Sequence, residues 1–125
     1  AALTRRLAEA TPVGAAQAHA VGLLTHRADL DIAAVAREIG WSRKHLAARV
    51  RNAVGVGPRS YRRLLRFSRL IQKLDTTKPD WAGLAADIGY ADQSHLIREF
   101  REFAGMTPGD YLARSLPGGG GLIEY

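Results

Sequence analysis

The sequence predicts an all-α fold of about seven helices: two units, each a helix, a tight turn and a second helix, joined by a long linking helix. Three observations predict it. The first is an internal repeat: Asp31, Ala33, Ala36, Ile39 and Gly40 recur 49 residues later as Asp80, Ala82, Ala85, Ile88 and Gly89. After one extra residue in the second turn the offset becomes 50, and His45, Leu46, Arg51, Gly55, Pro58 and Tyr61 return as His95, Leu96, Arg101, Gly105, Pro108 and Tyr111. The second is punctuation, with glycine or proline closing or opening apolar stretches of helical period. The third is charge. Residues 42–73 hold ten Lys or Arg and no Asp or Glu, in a chain whose net charge is +6, so a polyanion is the natural partner.

Composition narrows the classes further. At 125 residues and 46% apolar, the chain can bury one sizeable core, or two small ones sharing a helix. Cysteine is absent, which removes disulfides, zinc knuckles and thiol nucleophiles and fits a reducing compartment. No run of 18 apolar residues occurs, and the opening AALTRR is no signal peptide. A cytoplasmic, nucleoid-associated protein with no membrane partner is expected. No paired carboxylates, Ser/His/Asp set, metal-ligand cluster or phosphate loop occurs, so neither an enzyme nor a metal or cofactor site is expected. His45 and His95 stand just before equivalent inner leucines and read as structural, while His19 and His26 have no second ligand set for zinc.

Taken in order, residues 1–14 read as a linker or short helix, with Leu3, Leu7 and Ala10 at helical spacing before Pro12. Residues 15–27 place Ala16, Ala20, Leu23, Leu24 and Arg27 on one face, a bracing helix. Asp31 is placed to cap the next helix, Ile32, Val35, Ala36 and Ile39 form its buried stripe, and Gly40 ends it. Ser42 caps the helix after that. Ala36 and Ala85 are small where two helices cross. Leu46 with Val50, and Leu96 with Phe100, anchor each second helix by its inner face. Pro58 then opens a linking helix over residues 59–74, and Thr107-Pro108 with Asp110 opens the last helix. Sixteen residues of linking helix span roughly 24 Å, suited to holding two second helices about one duplex turn apart. The predicted organisation is 1–14, then a first unit with bracing and linking helices at 15–74, a second unit at 75–115, and a flexible Gly-rich tail at 116–125.

Helix, glycine turn and basic helix is the layout of a DNA-reading helix-turn-helix. On the first unit, Arg43 and Lys44 are candidates to pair with guanine, and Ala47 and Ala48 to pack against thymine methyls. Ser42, Arg49, Arg51, Arg59, Arg62, Arg63, Arg69 and Arg101 are candidates for phosphate. The second unit differs in potential, with four basic against seven acidic residues over 75–115.

Residues 88–111, IGYADQSHLIREFREFAGMTPGDY, resemble the signature of the AraC/XylS family of bacterial transcription regulators. The resemblance extends over residues 31–114, including Arg66-Phe67 in the linking helix. It implies two helix-turn-helix units joined by a long helix, each offering one recognition helix to the major groove of operator or promoter DNA. It adds Gln93, Ser94, Ile97 and Arg98 as base-reading candidates on the second unit. In the first unit Ala48 stands where the family often has an arginine, and Val50 where it often has an aromatic, with Arg49 and Arg51 beside them. The resemblance also implies a larger regulator with a separate sensor or dimerisation domain, and RNA polymerase as a further candidate partner. The family's DNA-repair relative needs a reactive cysteine that is missing here. The competing reading is a helical RNA-binding or protein-interaction module without operator specificity.

Overall fold

The computed structural model describes residues 12–74 and 79–115, and these form seven α-helices and no strand. They are α1 (Pro12–His26), α2 (Ile32–Ile39), α3 (Arg43–Val54), α4 (Pro58–Leu74), α5 (Trp81–Ile88), α6 (Gln93–Ala104) and α7 (Pro108–Ser115). The tail expected at 116–125 and most of the segment expected at 1–14 lie outside the described residues. The bracing helix begins at Pro12 rather than residue 15, because a proline in the first helical position gives up only an N–H that has no intrahelical partner.

The ends of the helices are written in the sequence as local hydrogen bonds. Asp31 accepts from the Ala34 N–H at 2.7 Å, and Ser42 Oγ from the His45 N–H at 3.0 Å. Asp92, which corresponds to Ser42, accepts from the His95 N–H at 2.8 Å, and Thr107 Oγ1 from the Asp110 N–H at 3.1 Å. Asp80 holds the cap position of α5 but makes no side-chain cap bond, so the repeat of Asp31 is one of position and not of contact. Gly40 and Gly89 have φ of 84° and 108°, a left-handed backbone open chiefly to glycine. Past each glycine the chain turns back: the Trp41 N–H donates to Ala36 O and the Tyr90 N–H to Ala85 O, both at 2.9 Å.

The chain divides into two compact units, residues 1–63 and 64–125. The boundary therefore falls inside α4, not at 74/75 as the sequence suggested. Burial gives the reason. The first core comprises Ala20 and Leu24 of α1 with Val35, Ala36, Leu46 and Val50. The second comprises Leu70 and Leu74 of α4 with Leu84, Ala85, Ile88, Tyr90, Leu96 and Phe100. Leu70 and Leu74 lie 50 residues after Ala20 and Leu24, so the end of α4 braces the second unit as α1 braces the first. The start of α4 belongs to the first unit, where Tyr61 Oη lies 2.8 Å from Thr25 Oγ1.

Candidate nucleic-acid interface

In each unit the second helix has one face inside and its N-terminal outer positions in solvent. On α3, Leu46 and Val50 are fully buried, while Arg43, Lys44, Ala48 and Arg51 are exposed and Ala47 is half-buried. On α6, Leu96 and Phe100 are fully buried, and Gln93, Ser94, Arg98 and Arg101 are exposed. Ile97, expected to face outward with them, is half-buried and packs against the second core. With Trp81, Gln93 and Pro108 it lines a small cleft at the start of α6.

The histidines act on the turns. His45 meets Trp41 edge to face at 4.7 Å between ring centroids, and His95 meets Tyr90 the same way at 5.1 Å. These equivalent pairs each hold the residue after the turn glycine against the first turn of the second helix. Among the described residues no group of three His, Cys, Asp or Glu could hold a metal, and no helix is long and apolar enough to cross a membrane.

The basic residues expected on phosphate fall into different situations. Arg51, Arg59, Arg69 and Arg101 are exposed, and Arg63 is half-exposed. Ser42 Oγ accepts the cap bond of α3, which leaves its O–H able to donate outward. Arg49 is half-buried, and its Nε is covered with no hydrogen-bond partner among the described residues. Arg62 is engaged within the protein. Its Nε donates to Leu24 O at 3.2 Å, its Nη2 to Arg27 O at 2.9 Å and its Nη1 to Leu30 O at 2.5 Å. The last carbonyls of a helix lack intrahelical donors, and Arg62 supplies one to Leu24 O from α4 and two more to the turn that follows, so three of its five N–H groups are spent on the protein.

Two charged residues escaped the sequence reading. Glu99 is only 4% exposed, and Arg66 of α4 reaches its carboxylate at 3.1 Å. One signal was available: Glu99 shares the inner side of α6 with Leu96 and Phe100, a place where a charge needs a partner.

A family model described as a helix-turn-helix domain matches residues 35–114. A Streptomyces antibioticus protein described as an AraC-like transcription regulator is 34% identical over 86 residues, 69% of this chain and 28% of that protein. The chain belongs to the AraC-type helix-turn-helix family. The arabinose operon regulatory protein of Salmonella typhimurium is 31% identical to this AraC-type domain over 70% of the chain and 32% of its own length. The chain thus spans about a third or less of these relatives. Among solved structures, the transcriptional regulator CdpR of Pseudomonas aeruginosa matches 66% of the chain and 26% of its own, with a TM-score of 0.58 and 29% identity. A DNA-binding transcriptional dual regulator of Escherichia coli K-12 covers 80% of the chain and 87% of its own at 24% identity and a TM-score of 0.60, a likeness of fold. The relatives named here are transcription regulators.

Proposed function

We propose that this domain binds double-stranded DNA with sequence preference through α3 and α6, as the DNA-binding end of a larger transcription regulator. The observation that carries the reading is the division made twice over, in which the inner face of each second helix is buried while Arg43, Lys44 and Ala48, or Gln93, Ser94 and Arg98, stand in solvent. Arg and Lys can fork onto guanine O6 and N7, and Gln onto adenine N6 and N7. Exposed Arg51, Arg59, Arg69 and Arg101, with Arg63, supply phosphate contacts that set register without reading sequence. Operator or promoter DNA is the partner of this domain. RNA polymerase and a sensor or dimerisation domain are partners of the whole regulator.

The test is selection of bound sequences from a randomised duplex pool, followed by competition with single strands at fixed salt. A defined consensus, and weak competition by single strands, support the reading. No consensus, with single strands competing as well as duplex, would replace it by a helical RNA-binding module.

A further inference from the structure

Glu99 is the one buried charged side chain among the described residues, and residues from three places in the second unit gather around its ion pair with Arg66. From α4, Arg66 Nη2 donates to Glu99 Oε2 at 3.1 Å and Nε lies 3.4 Å from Oε1. From the turn before α6, the Tyr90 ring lies under the same guanidinium, 5.5 Å from centroid to Cζ. From α6 itself, His95 Nε2 is 3.6 Å from Oε2. The His95 Nδ1 accepts from the Ala91 N–H at 3.1 Å. That bond leaves Nδ1 without a proton and directs an Nε2–H toward the carboxylate.

The first unit has no such arrangement. At the offset of 50, Glu99 corresponds to Arg49 and Arg66 to Ala16. The ring pair of Trp41 and His45 survives there, but the carboxylate and its fork do not. Apolar packing and one exposed Asn52–Gln17 hydrogen bond at 3.3 Å therefore hold α3, while α6 is held by apolar packing and a buried, directional ion pair.

We infer that Glu99 and Arg66 are positioning residues for base reading by α6, which deepens the proposed DNA reading and rests on it. Apolar contacts tolerate small slides and rotations, whereas a two-pronged Arg–carboxylate contact specifies direction as well as distance. A helix rotation of about 10° moves a side-chain tip about 6 Å from the axis by roughly 1 Å, enough to spoil a base hydrogen bond. Gln93, Ser94 and Arg98 stand on the exposed side of the same helix that carries Glu99 on its buried side. A buried ion pair is a poor source of stability compared with apolar residues of similar volume, and its best-attested use is to set register. The pair fits that use.

The experiment compares the unchanged 125-residue chain with Arg66→Met/Glu99→Leu and with Arg66→Lys. Melting temperature is read alongside affinity for three duplexes at one salt: the selected duplex, its single base-pair variants, and an unrelated duplex. Gln93→Ala identifies the half-site read by α6. The double variant is expected to melt near the parent and bind the unrelated duplex equally, while its preference for the selected duplex falls roughly tenfold, about the value of one base contact. The loss should be confined to the half-site sensitive to Gln93→Ala. Arg66→Lys keeps the charge and loses the fork, so it should fold and lose preference in the same half-site, which keeps the test open if the double variant does not fold. Full preference in either folded variant would overturn the inference while leaving the DNA reading intact. An unchanged protein with no preference among duplexes would remove both.

Discussion

The guanidinium of Arg62 closes the end of α1, its Nε donating to the carbonyl oxygen of Leu24 at 3.2 Å. Two further nitrogens serve Arg27 O and Leu30 O, so one side chain satisfies the last turn of α1 and the turn that follows. Arg62→Ala should destabilise by about 2 to 4 kcal/mol, since three carbonyls lose a charged donor. Arg62→Lys should recover little, because an ammonium cannot reproduce the spread of the fork. Thermal melting checks the first effect. Duplex affinity against salt checks the second half of the assignment, and a fall of one full unit in slope without a change in melting would return Arg62 to the phosphate set.

The crossing alanines admit no larger side chain. Ala36 and Ala85 are 2% and 0% exposed. Ala36→Glu or Ala85→Glu should cost roughly 2 to 4 kcal/mol, by forcing an unpaired carboxylate between helices. A variant that melts like the parent would mean that its unit is not packed as described.

Base reading is expected at the N-terminal outer positions of α3 and α6. Lys44→Ala and Gln93→Ala should each relax preference at one or two base pairs, by about 1 to 3 kcal/mol for each lost contact. Sequence selection repeated with each variant shows which positions relax. Uniform weakening on every duplex would move these side chains to the backbone class.

Salt dependence should be unequal between the units. Residues 41–63 carry seven basic and no acidic side chains, and residues 64–115 seven of each. Each phosphate contact adds about 0.9 to the slope of affinity against salt on duplex DNA. Replacing Arg51, Arg59 and Arg63 together by alanine should flatten the slope by about 2 to 3. Arg101→Ala should flatten it by about one at most. Equal effects would show that local geometry overrides the charge count.

Much of the architecture could be read from the chain because it rests on local chemistry. Asp31 and Ser42 can cap the next few N–H groups whatever lies beyond them, and Gly40 and Gly89 can turn left-handed because they have no Cβ. The repeat then showed that one such unit was present twice, and the alternation of Leu46 and Val50, or Leu96 and Phe100, with polar neighbours showed which faces were free. What escaped were the choices that depend on residues distant in sequence. Arg62 lies 32 to 38 residues from the carbonyls it serves, and nothing near it distinguishes it from Arg59 or Arg63. Arg66 and Glu99 are 33 residues apart, and the burial of a carboxylate depends on whether a cation meets it there. The boundary between units within α4 was likewise hidden, since a helix of 17 residues has one periodicity along its length while its two ends serve different cores. Local hydrogen bonding and periodicity are properties of neighbours in sequence; the partner of a long charged side chain is settled only when the helices pack.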